Sequence, residues 1–508
     1  MEQNKILTTT KIAQCAIFTA LIAIGAFIQI PVPYMDYFTL QFFFVLLAGI
    51  LLGSKLGGLA VLLYVVIGLL GIPIFAAGGG LAYIVRPSFG YLLGFIAGAY
   101  FTGLVIEKTS FSSLKKYALA VFLGLLVTYI IGLGYKYMIL NYYTGTAVSW
   151  KLVLLSCFPI DLPGDIFLSI LAMMAEVRFE KVFKKGKKIM LEKILKDVLA
   201  GHEISKSDAI LLVDADIVWL KRAADLIREH FCGNKFDLCS IINGKSGRCS
   251  ENCKYCAQSI HYHTNVEVYD LLNEATIKDM ALHNENKSVK RFSIVTSGRR
   301  LNDQEFLDVI KIYQSLHDTT EISLCASLGL LNLEQLTKLK AAGVKRYHNN
   351  LETSRNYFPN ICTTHSYQQK IETIKAAQEA GLEVCSGGIM GMNESWQDRI
   401  DLAFELKELG VKSIPINILN PIPGTPLEHL CPLSKEEVER IFAIFRFILP
   451  DAAIRMAGGR GLLEDQGLSV FKSGANAAIT GDMLTTQGIT INEDQRIIKE
   501  LGFEVVKL

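Results

Sequence analysis

No glycine-rich ATP-binding P-loop occurs anywhere in the 508 residues, and the eleven cysteines form no disulfide framework. The first absence excludes nucleotide hydrolysis by that route. The second, with an odd cysteine count, places the thiols in a reduced, cytoplasmic setting. There is no excess of either charge: 51 Lys and Arg face 49 Asp and Glu, a net +2, which argues neither for nor against nucleic acid, and no nucleic-acid partner is expected. Charge is nearly missing from residues 12 to 175, whereas the remainder has ordinary globular composition. Hydrophobic residues reach 51% and mean hydropathy +0.32, too apolar for a cytosolic enzyme, and the excess sits in that stretch. Several long apolar runs follow the first one, so a multi-span protein is expected here rather than a cleavable signal.

A membrane helix needs about 20 mostly apolar residues. Six stretches fit: 12–30, 38–54, 56–75, 82–106, 117–142 and 151–175. Lys5 and Lys11 precede the first, Lys55 divides the second from the third, and Lys108, Lys115 and Lys116 divide the fourth from the fifth. The alternate loops, 31–37, 75–81 and 143–150, hold no Lys or Arg. Cationic loops stay on the cytoplasmic side, so the expectation is a multi-pass protein of a prokaryotic cytoplasmic membrane, with both termini and everything after residue 176 in the cytoplasm.

Ionisable residues inside spans are costly and by default functional. Arg86 lies in a Gly/Pro-interrupted run, Gly78-Gly79-Gly80 to Arg86-Pro87-Ser88-Phe89-Gly90-Tyr91. Asp161 and Asp165 flank Pro163-Gly164 in a second break. Irregular backbone at membrane depth is tolerated where it lines a cavity. One cationic and one anionic break suit a pocket for a polar small molecule; an internal ion pair is the alternative. These strings resemble the biotin-specific S component of energy-coupling-factor transporters over residues 10–178. The resemblance implies biotin uptake, with separate transmembrane and ATPase coupling subunits as partners. Ala16-x3-Ala20 is similar to the face on which such components dock. The family's lysine three residues after the aspartate is here Leu168, which passes the carboxylate contact to Arg86 or Lys136.

The chain is expected to divide into a six-helix membrane domain (1–178), a basic juxtamembrane linker (179–195) and a cytoplasmic domain (196–508). In the last, β-rich runs recur near 237–242, 292–296, 321–326, 345–351, 382–389, 413–419, 452–457 and 475–480, separated by amphipathic helical stretches. Gly343, Gly381 and Gly410 are helix stops, and Ser434-x-x-Glu437 reads as a capping box. Eight such alternations imply a (β/α)8 TIM-type barrel whose chemistry sits at the C-terminal strand ends.

There the sequence places Cys249-x3-Cys253-x2-Cys256. Three thiolates on a tight loop can hold an iron–sulfur cubane with one iron left open for a ligand. A structural zinc site would want four ligands; no second C-x2-C unit lies nearby, although His261 and His263 keep zinc in view. Later strands carry Cys325, Cys385 and Arg455 where a barrel interior is normally aliphatic, which is consistent with a second, deeper cluster. Cys15, Cys157, Cys232, Cys362 and Cys431 read as small hydrophobes.

Residues 195–508 resemble biotin synthase, a radical S-adenosylmethionine enzyme. The matching strings are Cys249–Cys256 with Ala257-Gln258-Ser259, His348-Asn349-Asn350-Leu351-Glu352-Thr353-Ser354, Val384-Cys385-Ser386-Gly387-Gly388-Ile389, and Asn417 with Gly424-Thr425-Pro426-Leu427. The resemblance implies a 4Fe-4S cluster on Cys249, Cys253 and Cys256 whose open iron binds S-adenosylmethionine. It places Tyr255 on the adenine, Glu352 on the ribose, and Gly387 and Gly388 beside the cofactor. It assigns Asn350 and Asn417 to dethiobiotin, and Cys325, Cys385 and Arg455 to an auxiliary sulfur-donating cluster. A flavodoxin- or ferredoxin-type reductant and a homodimer of the barrel are also implied. Two departures stand out. The family's second-strand cysteine is Ser293, and Cys239 on the first strand is expected to replace it, in a 2Fe-2S or variant auxiliary cluster. His348 stands where the family has asparagine. Two alternatives stay open: another radical S-adenosylmethionine enzyme of this barrel type, or a membrane vitamin-binding protein with a degenerate synthase domain.

Overall fold

The computed structural model describes residues 9–30, 38–109, 113–158, 161–481, 483–486 and 488–508. Lys5, the 31–37 loop and Pro159–Ile160 lie outside them. The chain divides into two compact units, 1–188 and 189–508.

In the first unit, four helices among the described residues are long and apolar enough to cross a membrane: Thr9–Phe27, Gln41–Leu69, Phe89–Lys108 and Leu114–Tyr143. The six-helix expectation is therefore met only in part. Its second and third spans are two helical segments within Gln41–Leu69, parted by a kink at Gly53 beside the expected boundary at Lys55. Gly53 has φ 79° and ψ −177°, a conformation open to glycine, and a Cβ there would lie 2.4 Å from the Glu107 carboxylate. That carboxylate accepts from the Ser54 backbone N–H and from its hydroxyl, both at 2.7 Å, which anchors the break. The fourth span starts only at Phe89, because Leu81–Val85 is a short 3-10 turn and Arg86 has left the helix. The sixth is split into Trp150–Leu155 and a 39-residue helix, Asp161–Leu199. The basic stretch 179–195 is part of that helix.

The second unit is a closed parallel barrel. Its strands are β1 (Lys235–Lys245), β2 (Arg291–Thr296), β3 (Ser323–Ser327), β4 (Arg346–His348), β5 (Glu383–Cys385, resumed at Gly388–Met390), β6 (Ser413–Ile418), β7 (Ala453–Met456) and β8 (Ala477–Thr480). Each pairs in parallel with the next, and β8 closes on β1 with Ala477 opposite Asp237. All eight strands arise where β-rich runs recur in the sequence. Capped helices alternate with the strands; Asn302 with Glu305, Ser366 with Gln369 and Ser395 with Asp398 form reciprocal capping boxes. At Ser434 only half of the expected box forms: its hydroxyl accepts from the Glu437 N–H. The helix Lys435–Ile448, whose buried face includes Phe442 and Phe445, packs on Ile217–Cys232 and covers the barrel flank.

Candidate functional site

The loop after β1 carries the three cysteines and is held as a rigid turn. Cys249 N–H donates to the Gln258 carbonyl (2.9 Å), Ile260 N–H donates to the Cys249 carbonyl (2.9 Å), and Cys256 N–H donates to the Cys253 carbonyl (3.0 Å). A second loop, 361–365, clamps it: Lys254 N–H donates to the Ile361 carbonyl (3.0 Å) and Asn252 N–H to the Thr364 hydroxyl (3.1 Å). Cys249, Cys253 and Cys256 line one cavity of about 370 Å³ inside the barrel, together with Tyr255, Asn350 and Glu352. Cys239, Ser293, Cys325, Cys385 and Arg455 line the same cavity.

Glu352 is the most constrained of these residues. Its φ is 71°, a left-handed conformation that costs a non-glycine residue about 1–3 kcal/mol. The cost is offset by backbone bonds to β5: Glu352 N–H to the Gly387 carbonyl (3.1 Å) and Ile389 N–H to the Glu352 carbonyl (2.8 Å). A Cβ at Gly387 would fall 1.9 Å from the Pro415 carbonyl, and one at Gly388 2.6 Å from that of Glu352. The twin glycines thus let β5 approach its neighbours and set the Glu352 backbone. Lys370 Nζ stands 3.7 Å from Glu352 Oε1, while Oε2 is buried without a hydrogen-bond partner. Burial first, and then the Glu352 charge, push the Tyr255 phenol well above its ordinary range. An orphaned carboxylate oxygen beside a buried phenol fits a hydroxyl-bearing ligand such as a ribose.

Of the two asparagines expected at the substrate, Asn350 lines the cavity and accepts from the Gly387 N–H (3.0 Å). Asn417 accepts from the Gly458 N–H (2.9 Å) and donates to the Gly388 carbonyl (3.2 Å), so its amide ties β6 to its neighbours.

Deeper in the barrel, Cys239 on β1 and Cys325 on β3 line the cavity from the two strands that flank β2, and the Cys239 thiol donates to the Ser240 carbonyl (3.5 Å). Ser293, between them, has a buried hydroxyl with no partner. His348 lies opposite Cys385 in the β4–β5 register. Burial alone would raise the Cys385 thiol, but a hydrogen bond from His348 and the charges of His348, Arg455 and Arg346 bring it down to about 6. Three thiols gathered around cationic groups fit a thiolate-ligated cluster.

Sequence reasoning missed the charged floor beneath these thiols. Asp237 is fully buried and its Oδ2 meets Arg455 (2.8 Å), Arg291 (3.1 Å) and Arg346 (3.3 Å). Arg291 and Arg346 also donate to the Leu508 backbone carbonyl. The signal was present: charged residues inside strands that otherwise read as aliphatic. Two further readings are corrected. Cys362 is no isolated filler, because it lies against Cys253 and His365. Cys431 is exposed and so is not a core residue. His261, one of the zinc candidates, bonds the Ser250 carbonyl instead (3.1 Å).

In the membrane unit, Arg86, Lys136, Asp161 and Asp165 line a second cavity, of about 660 Å³. Asp165 accepts from the Tyr129 hydroxyl (2.8 Å), Lys136 donates to the Ser156 hydroxyl (2.9 Å), and Arg86 stacks on the Tyr83 ring at 5.0 Å. No ion pair joins Arg86 to Asp165 among the described residues. Leu168 is buried in the helix packing. Ala16 and Ala20 are exposed on the first helix.

Comparison with known proteins matches both units. Residues 1–185 match the BioY family, 245–406 the radical SAM superfamily, and 415–504 the biotin and thiamin synthesis associated domain. Biotin synthase of Brachyspira hyodysenteriae is 54% identical over 319 residues, 63% of this chain and 96% of its own length. That of Clostridium botulinum strain Alaska E43 is 56% identical over 316 residues, 62% of this chain and 99% of its own. Among solved structures, methylornithine synthase superposes with a TM-score of 0.55 at 18% identity, covering 62% of this chain and 97% of that one, a likeness of fold alone.

Proposed function

Because the chain belongs to the biotin synthase family, we propose that its barrel inserts sulfur into dethiobiotin to give biotin, and that its membrane unit binds biotin for uptake. The observation that carries the reading is one cavity lined by the three loop cysteines at its mouth and by Cys239, Cys325 and Cys385 deeper in. The first set would hold a 4Fe-4S cluster and the second an auxiliary cluster, with Cys239 in the place that Ser293 vacates. When bound, the 4Fe-4S cluster and S-adenosylmethionine supply one-electron hydrogen abstraction from unactivated carbon, which no side chain can provide.

The chain's own residues supply position, charge and dryness. Glu352 would accept from the ribose hydroxyls through its free Oε2, and Tyr255 would pack on the adenine. Asn350 faces the space between the two thiol sets, where dethiobiotin would lie. Asn417 would act by fixing Gly388 and so the Glu352 backbone. Arg455, Arg291 and Arg346 face Asp237 and, at the exposed edge, Glu383, and place cationic groups under the deeper thiols, suited to an anionic cluster.

For the membrane unit, Arg86 or Lys136 would meet the biotin carboxylate, with Asp165 and Asp161 at the opposite end of the ligand. The exposed Ala16 and Ala20 would dock a coupling subunit. Lysine distribution supports cytoplasmic termini, and the barrel would work there as a homodimer fed by a flavodoxin-type reductant. The deciding experiment is an anaerobic assay of the full chain in detergent with S-adenosylmethionine, reductant and dethiobiotin, quantifying biotin and 5′-deoxyadenosine together. Biotin above the no-substrate control is expected. 5′-Deoxyadenosine without biotin would overturn the sulfur-insertion reading and point to a different radical reaction.

A further inference from the structure

A fourth thiol stands at the cluster loop. Cys362 follows the short 3-10 turn Phe358–Asn360 and is 3% exposed. Its Sγ, the Sγ of Cys253 and a ring nitrogen of His365 all lie within 4.8 Å of one another. Cys362 Sγ is 3.3 Å from His365 Nδ1, and Glu251 Oε2 is 2.6 Å from the same nitrogen. The frame is fixed: the Asn252 side-chain oxygen accepts from the Thr363 N–H (3.0 Å), and the Thr364 hydroxyl donates to Glu251 Oε2 (2.7 Å). His365 Nε2 is buried with no hydrogen-bond partner.

This spacing belongs to a single ion rather than to a cluster. Thiolate sulfur binds zinc at about 2.3 Å and imidazole nitrogen at about 2.0–2.1 Å, so tetrahedral donors on one ion lie roughly 3.3–3.8 Å apart. Cluster cysteines each bind a different iron and stand farther from one another. Two sulfurs and an imidazole form a donor set that selects thiophilic transition metals over magnesium or calcium. The pair Cys362-x2-His365 also supplies two donors from one short turn, as metal-binding turns do.

We propose that the cluster-free chain binds one thiophilic divalent cation, ferrous iron or zinc, through Cys253, Cys362 and His365, with water completing the tetrahedron. Binding displaces the thiol protons and frees the imidazole nitrogen from its contact with Glu251. Cys253 belongs to both arrangements, so the single-ion site and the three-cysteine cluster exclude one another; this exclusion rests on the cluster reading above, whereas the ion site does not. A ferrous ion held there lies inside the loop that later receives the cluster. Zinc held there blocks cluster assembly.

The test uses cobalt(II) as the probe, titrated anaerobically into the full chain in detergent after its clusters have been stripped. The wild type takes up one equivalent with thiolate-to-cobalt charge-transfer absorption and the intense visible bands of tetrahedral cobalt. Cys362→Ser and His365→Ala each weaken binding by at least about tenfold. A Cys249→Ser/Cys256→Ser double variant keeps the wild-type cobalt spectrum, and it tests the site even where Cys362→Ser fails to fold. The proposal is overturned where the wild type binds no cobalt. It is equally overturned where Cys362→Ser keeps wild-type affinity and spectrum, or where the double variant loses the signal, since the ion then sits on the three loop cysteines. Failure of the cluster reading shows separately, as a chain that binds cobalt normally yet cannot be reconstituted with four irons.

Discussion

Arg455 on β7 reaches past β8 to Asp237 on β1, and the two side chains, both essentially inaccessible to solvent, meet at 2.8 Å. Arg291 and Arg346 share the same carboxylate. Removing one partner of a buried ionic network leaves uncompensated charge and costs about 3–5 kcal/mol. Asp237→Ala, which leaves Arg455 without its carboxylate and Arg291 and Arg346 with only the exposed Glu383, is expected to lower stability in denaturant titration by about that amount and to impair reconstitution of the deeper cluster. An unaltered unfolding midpoint would show that the arginines are balanced by other groups.

The same carboxylate predicts an acid limb of stability. Burial alone would raise the Asp237 carboxyl, but Arg455, Arg291 and Arg346 outweigh it and hold the group below its ordinary range. A carboxylate depressed by folding stabilises the fold above its unfolded value of about 3.9 and loses that contribution as pH falls through the folded value. Unfolding of the cluster-free chain should therefore steepen with acid below about pH 4, and Asp237→Asn should flatten that limb. Parallel pH profiles for the two chains would remove Asp237 from the account.

Glu352 gives a prediction about cofactor affinity. A hydrogen bond to a charged group contributes about 1.5–3 kcal/mol, or roughly ten- to a hundredfold in Kd. Glu352→Gln should weaken S-adenosylmethionine binding by that factor in equilibrium dialysis of the reconstituted chain, while the 4Fe-4S iron content stays unchanged. Loss of iron instead of affinity would place Glu352 among the residues that hold the loop.

Much of this was legible in the residues, for reasons that differ from part to part. The eight strands were found because β-rich runs and amphipathic helices alternate with clear stops. The loop cysteines were found because their donor chemistry is tied to spacing. The arginine floor was hidden: Asp237, Arg291 and Arg346 stand far apart in sequence and meet only when β8 closes on β1. Cys362 was misread for the same reason, since nothing local shows that its turn lies against Cys253. The membrane spans depart from expectation where apolar composition runs through a break, as at residues 81–88, where a 3-10 turn and an extended Arg86 precede the helix that starts at Phe89.

Cys239 and Ser293 predict the composition of the deeper cluster. Cys239 and Cys325 line one cavity from the two strands that flank the one carrying Ser293, so Cys239→Ala should lose the auxiliary cluster in iron analysis and Mössbauer spectra and keep the 4Fe-4S signal. Cys239→Ala/Ser293→Cys, which moves the thiol to the neighbouring strand, should recover part of the iron. Full auxiliary iron in the single variant would mean that Cys325 and Cys385 suffice with a ligand from elsewhere.

The membrane cavity offers the last test. Arg86 and Lys136 both line it, but Lys136 is engaged by the Ser156 hydroxyl whereas the Arg86 guanidinium lies over the Tyr83 ring. A guanidinium can meet a carboxylate through two parallel hydrogen bonds, which an ammonium cannot, so Arg86 should carry the greater share of biotin affinity. Arg86→Ala is expected to weaken biotin binding to the full chain at least about tenfold, and Lys136→Ala less, as read by isothermal titration. The methyl ester of biotin, which lacks the charge, should bind the wild type and Arg86→Ala alike. Equal loss of acid and ester on Arg86→Ala would mean that Arg86 shapes the cavity rather than meeting the carboxylate.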